Sequence, residues 1–155
     1  ILNFRGETNQ GAYFLELEAC NKYDIELINY PLFATKLPSK EAILGLETIF
    51  NNIRKPFLMH CKSGADRAGL GSALYYLYIM HSPIRQAQMQ LSFKYLHIGG
   101  WKAGILDYIF MQYRKASEFD GICFKDWVEK NYDVQRLTIE FLEFRKNMPW
   151  LTIPR

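Results

Sequence analysis

Long hydrophobic runs are scarce in this chain: the longest, Ala68 to Met80, spans 13 residues. A membrane span needs roughly 20, so the run reads as a buried helix. Cysteine is equally sparse. Cys20, Cys61 and Cys123 form an odd set with no CxxC spacing, which argues against a disulfide framework or a zinc site and favours a free, reactive thiol. Charge of one sign is lacking too. With 19 basic and 16 acidic residues the net charge is only +3, and no Lys/Arg run tracks a nucleic-acid backbone, so nucleic acid is not an expected partner. An anionic small ligand remains compatible. There is no internal repeat and no low-complexity tract. The chain opens at Ile1, inside a strand pattern and without an initiator methionine. An upstream segment is therefore expected, where a signal peptide or membrane anchor would not be visible.

What is present suffices for a real core: 155 residues, 49% hydrophobic and 15% aromatic, fit one domain. Ile1 to Phe4 reads as a strand, Gln10 to Lys22 as a helix and Asp24 to Tyr30 as a second strand. After a loop from Pro31 to Pro38, Ser39 can cap a helix running to about Asn52, and Pro56 introduces the strand Phe57 to His60. This β-α-β-α-β alternation predicts an α/β fold: a parallel-centred twisted sheet flanked by helices, with ligands bound beyond the carboxyl ends of the strands. Further helices are expected over 68–80, from a Ser82-Pro83 start, and over Ala103 to Ser117, Phe124 to Asn131 and Asp133 to Lys146, with Asp120-Gly121 a turn and Gly99-Gly100 a break. The expected organisation is one domain over 1–155: a body over 1–118 with the active-site loop at 60–69, and a helical C-terminal extension over 119–155 packed on it.

The chemistry is concentrated where the third strand ends. His60 and Cys61 are followed by Lys62, Ser63, Gly64, Ala65, Asp66 and Arg67, and then by an apolar helix containing Gly69. Backbone N–H groups from Lys62 through Arg67 can curl into an anion nest, to which the following helix adds its positive end. The same field stabilises a thiolate and would make Cys61 a nucleophile at neutral pH. Arg67 has the planar fork that grips two phosphate oxygens and suits a phosphoryl transition state. Either residue alone is better explained as a core thiol or a surface cation; together in this frame they favour a phosphate site.

The His60-Cys61-x5-Arg67 pattern resembles the active-site loop of the protein tyrosine and dual-specificity phosphatase superfamily. Asn3-Phe4-Arg5-Gly6, the loop His60 to Gly69, and Phe124-Lys125-Asp126-Trp127-Val128-Glu129 resemble, more narrowly, its bacterial dual-specificity-like branch. The resemblance spans nearly the whole chain. It implies a protein tyrosine phosphatase-like fold, Cys61 as nucleophile forming a phosphocysteine, Arg67 as phosphate clamp, and neither metal nor cofactor. The implied partner is a phosphorylated protein or a small phosphate monoester, and a bacterial, cytoplasmic protein is the default.

Two departures from that family matter. Many members carry a hydroxyl residue after the arginine that stabilises the leaving thiolate; here the position is Ala68, which slows turnover unless Ser63 substitutes. Many also carry a general-acid Asp in a loop before the cysteine strand, and Pro31 to Ser39 contains no carboxylate. Asp66 is the first choice for that proton, because phosphatases of the myotubularin type and some bacterial tyrosine phosphatases are similar in having an Asp there. A helix cap or a brace for Arg67 is the competing role for Asp66, and Glu41 and Asp24 are weaker acid candidates. Lys62 resembles the loop of phosphoinositide phosphatases of the phosphatase-and-tensin type, where a basic side chain meets further phosphates, though a solvated cation is the plainer reading. His60 suits a supporting hydrogen bond that orients the loop, and a plain core histidine is an equal reading.

Arg5, Tyr95, His97 and Trp101 are candidate pocket walls. Tyr75, Tyr76 and Tyr78 are expected in the core, Cys20 and Cys123 in packing, and Trp127 and Trp150 as anchors of the C-terminal helices. The competing classes are a sulfurtransferase or arsenate reductase with a similar loop, a phosphate-binding pseudophosphatase crippled at Ala68, and a phosphoinositide-directed lipid phosphatase.

Overall fold

The computed structural model describes residues 1–99 and 102–147; Gly100, Trp101 and Trp150 lie outside the described residues. Three short strands, β1 (Leu2–Asn3), β2 (Ile28–Asn29) and β3 (Met59–His60), form a parallel sheet in the order β2-β1-β3. Leu2 pairs with Ile28 and Met59, and Asn3 pairs with Asn29 and His60. All three strands therefore end at one level, and the loops that follow Asn3, Asn29 and His60 share one edge. The helices α1 (Gly11–Lys22) and α2 (Lys40–Asn52) make the two crossovers, which parallel pairing requires.

The second strand is much shorter than the expected Asp24 to Tyr30. Asp24 adopts a left-handed φ of 53°, which turns the chain out of α1 and leaves only Ile28 and Asn29 aligned with β1. By contrast α2 starts where its cap predicts, with Ser39 Oγ accepting the Ala42 N–H at 3.1 Å.

The long helix α3 (Asp66–Tyr78) packs on the sheet and on α2, and is followed by α4 (Ile84–Gln88), α5 (Gly104–Asp120), α6 (Phe124–Asn131) and α7 (Val134–Asn147). Ser82 is not the cap of α4. Its N–H instead bonds the Tyr76 carbonyl at 2.9 Å, closing the end of α3, and α4 lasts five residues. Helix α5 runs past Ser117 to Asp120, where Gly121 takes the left-handed cap with φ 64°. Leu2, Phe4, Leu46, Phe50, Leu74 and Ile109 lie in one continuous core that also takes in Phe124, Trp127, Tyr132 and Phe141 of the last helices. Trp127 is buried in an aromatic group with Tyr113, Phe124 and Tyr132. Cys20 packs in the core, but Cys123 does not: it is exposed and its sulfur caps α6, accepting the Asp126 N–H at 3.5 Å. Among the described residues no helix is long and apolar enough to cross a membrane.

Candidate active site

At the carboxyl edge of the sheet the buried Asn3 amide ties the loops together. Its Nδ2 donates to the Gly6 carbonyl at 3.2 Å and to Asn29 Oδ1 at 3.0 Å, while its Oδ1 accepts the Arg5 N–H at 2.8 Å. Gly6 is left-handed, with φ 73°, which lets the first loop turn beside Pro31. Arg5 points along this edge and donates to Gln10 Oε1 at 2.6 Å.

Cys61 leaves β3 at this edge, and its side chain is nearly enclosed. Burial pushes the thiol pKa up, but the backbone N–H groups of Ala68, Ser63 and Gly64 and the charge of Arg67 outweigh it and hold the thiol below its ordinary value. Amide donors and a nearby cation are the features that turn a buried thiol into a thiolate. Gly64 makes the curl feasible, with φ 75°, a conformation that costs any residue with a Cβ. Ala65 is buried under the loop, whereas Lys62, Ser63 and Gly64 are exposed. Ala68 has no hydroxyl to offer, yet its own N–H helps to hold the Cys61 thiol below its ordinary value.

Arg67 is half-buried, and among the described residues none of the ion pairs engages it. Its fork is therefore not committed to a carboxylate. His60 Nδ1 lies 3.3 Å from the Cys61 carbonyl. On its other side Glu16 Oε1 approaches Nε2 to 2.7 Å, an ion-pair distance without hydrogen-bond alignment.

Asp66 opens α3 but does not cap it; the cap position is Ala65, which makes no side-chain bond. Neither does Asp66 brace Arg67. Its Oδ1 lies 2.7 Å from Nδ1 of His97, and Nε2 of the same ring lies 2.6 Å from Oδ2 of Asp107. Of the expected walls, then, His97 is a buried partner of the loop. Tyr95 sits partly exposed in the 3-10 turn Phe93–Tyr95, and Trp101 is outside the described residues. Glu41 lies in the first turn of α2, fully exposed, where its own backbone N–H and the Ser39 side chain hold its carboxyl below the usual range. Asp24 sits at the turn out of α1, on the far side of the sheet from the loop edge.

Asp107 is the residue that sequence reasoning missed. The signal was a lone carboxylate inside the apolar run Gly104 to Met111, since a charge on a buried helix face requires a partner. A cavity of about 560 Å³ opens beside Asp66, lined also by Thr35, Lys102, Ala103 and Arg145. A larger one, about 630 Å³, lies near the amino ends of the strands among Ile1, Cys20, Ile53 and Pro56 and touches none of the loop residues. The former adjoins the Cys61 loop through Asp66. Among the described residues no group of three His, Cys, Asp or Glu side chains is arranged to hold a metal ion.

No curated protein and no solved structure matches the chain. Residues 29–80, from β2 through α2, β3 and the Cys61 loop to just beyond α3, match the model of the tyrosine phosphatase family, and this match supports a phosphatase of the protein tyrosine phosphatase-like superfamily.

Proposed function

We propose that this chain is a cysteine-dependent phosphatase of the bacterial dual-specificity-like kind, hydrolysing a phosphate monoester on a phosphorylated protein or small molecule. The observation that carries the reading is the nearly enclosed Cys61 side chain at the carboxyl edge of the sheet, whose thiol the backbone N–H groups of Ala68, Ser63 and Gly64 and the Arg67 charge hold below its ordinary value. In the first step Cys61 Sγ attacks phosphorus and the ester P–O bond breaks, with Arg67 holding two equatorial oxygens and Asp66 giving a proton to the leaving oxygen. In the second, water attacks the phosphocysteine, Asp66 takes its proton back from that water, and the S–P bond breaks to restore the thiolate.

The cations Lys102 and Arg145 beside Asp66 suit an anionic substrate, and the exposed Lys62 keeps a phosphoinositide headgroup as an alternative. Ala68 favours a second reading, a module that captures phosphate and turns it over poorly. One assay separates these functions: para-nitrophenyl phosphate with and without vanadate, and with and without EDTA. Turnover that vanadate blocks and EDTA spares is expected; tight vanadate binding without turnover would favour the capture module, and neither binding nor turnover would refute both.

A further inference from the structure

Asp66, His97 and Asp107 come from three separate places, the start of α3, the segment after the 3-10 turn, and the first turn of α5, and they fall on one line of two short bonds. The His97 side chain has no solvent exposure, that of Asp107 has 3%, and that of Asp66 has 26%. Both bonds end on a carboxyl oxygen, so two protons must lie between three groups, and an imidazolium with two N–H donors supplies both. Burial pushes the ring toward its neutral form, but bonds and charge from Asp107, and then from Asp66, outweigh it and raise its pKa.

The surrounding backbone is shaped to this pair. A Cβ at Gly99 would stand 2.7 Å from Asp107 Oδ2, and one at Gly104 would overlap the Gly99 carbonyl. Gly99 approaches Asp107, and Gly104 approaches Gly99, this closely only because both positions are glycine. His97 and Asp107 are buried, and of the three groups Asp66, in the Cys61 loop, is the one that meets solvent appreciably.

We propose that His97, seated on Asp107, is a positioning residue for Asp66: it engages Oδ1 and leaves Oδ2 as the oxygen that exchanges a proton with the substrate. The assignment rests on Asp66 being the proton donor. When Oδ2–H gives its proton to the leaving oxygen, the new carboxylate charge forms against an imidazolium already bonded to it, which favours that charge. In the second step the same carboxylate, held in the same orientation, takes the proton of the attacking water. Without His97 the carboxyl group is free to rotate away from the ester.

The test uses the full chain as wild type, His97→Gln, Asp107→Asn, Asp66→Asn and the His97→Gln/Asp66→Asn double variant, with circular dichroism to establish folding. Two substrates are compared, an alkyl phosphate that needs a proton on its leaving group and an activated aryl phosphate that does not. His97→Gln should lower kcat on the alkyl ester by about tenfold or more, part of the value of a placed acid, and on the aryl ester by less than about threefold. It should add nothing to the loss already present in Asp66→Asn. Asp107→Asn should show the same ester contrast at smaller size, and it carries the test should His97→Gln fail to fold. Nitrogen-15 NMR of the imidazole should show a bonded Nδ1–H whose resonance shifts in Asp66→Asn, where a neutral amide replaces the carboxyl group. Equal losses on both esters that add to those of Asp66→Asn, or an imidazole signal indifferent to Asp66→Asn, would overturn the proposal alone. An Asp66→Asn variant without ester contrast would instead overturn the acid assignment and this role with it.

Discussion

Gly71 of α3 and Phe4, the residue after β1, meet with no room for a methyl group: a Cβ at 71 would overlap Cε2 and Cζ of the ring. Phe4 is fully buried, so the ring has nowhere to swing. Two residues earlier, a Cβ at Gly69 would stand 2.9 Å from the Gln90 carbonyl. These two close approaches set the depth of α3 against the sheet and against the segment after α4, and with it the position of the Cys61 loop.

Gly71→Ala is therefore expected to destabilise the protein even though alanine is the better helix former. Overpacking a filled core costs about 1–3 kcal/mol, against roughly 1 kcal/mol gained from helix propensity. Thermal unfolding should show a melting temperature lower by several degrees. An unchanged or raised value would mean that the helix shifts without strain.

Much of this arrangement was legible in the sequence where a local signal decides the outcome. Ser39 caps α2 as its side chain predicts, and α6 occupies Phe124–Asn131 as expected. The loop from Cys61 to Arg67 lies where the sequence places it, from the end of β3 into the start of α3. What stayed hidden depended on contacts between distant residues. The second strand shrinks because register with β1, not local propensity, decides which residues pair. His97 is 31 residues from Asp66 and 10 from Asp107, and no periodicity reports that three such groups converge. Cys123 looked like a packing residue because free cysteines are commonly buried, but the start of α6 needed an acceptor and exposed its sulfur.

Alkylation should find Cys61 ionised below the ordinary thiol range of about 8.5, since amides and Arg67 lower its pKa. Iodoacetamide labelling followed across pH by mass spectrometry should give Cys61 a midpoint below that ordinary value, and Arg67→Ala should raise it. A midpoint at or above the ordinary thiol value of about 8.5 would remove the basis for a nucleophile. Cys61→Ser should abolish turnover while leaving vanadate binding largely intact, because the nest and Arg67 survive.

Replacing Arg67 by lysine should reduce both vanadate affinity and kcat, because a point charge cannot reproduce the bidentate contact. Near-normal kcat in that variant would make Arg67 structural.

The His97 pair links stability to pH with a definite sign. The folded-state pKa of His97 is raised, so its protonation contributes stability fully below the unfolded value of about 6.5 and loses it as pH rises through the folded value. Asp66 from α3 and Asp107 from α5 are the carboxylates responsible. Urea unfolding of wild type and His97→Gln should therefore show a stability gap that is widest at the acid end and narrows as pH rises. A gap that widens with pH would mean that the ring is neutral in the folded state.

Ala68 poses the last question, because the residue that contributes an N–H to the Cys61 sulfur has no hydroxyl to offer when the S–P bond breaks. In the mechanism proposed above, the thiolate would leave with amide and Arg67 stabilisation alone, which makes hydrolysis of the phosphocysteine the step most exposed to the missing group. On an activated aryl phosphate, where formation is fast, stopped-flow should show a burst of phenolate followed by slower turnover. Ala68→Thr restores a hydroxyl beside the sulfur and should shrink the burst while raising the steady rate. Position 68 is buried, so the threonine must fit a tight site, and the melting temperature has to be measured alongside the kinetics. A burst of unchanged size in a stably folded Ala68→Thr would show that the amides of Ser63, Gly64 and Ala68 already suffice for thiolate departure. Absence of any burst in the parent would place the slow step before the phosphocysteine and strip Ala68 of kinetic meaning.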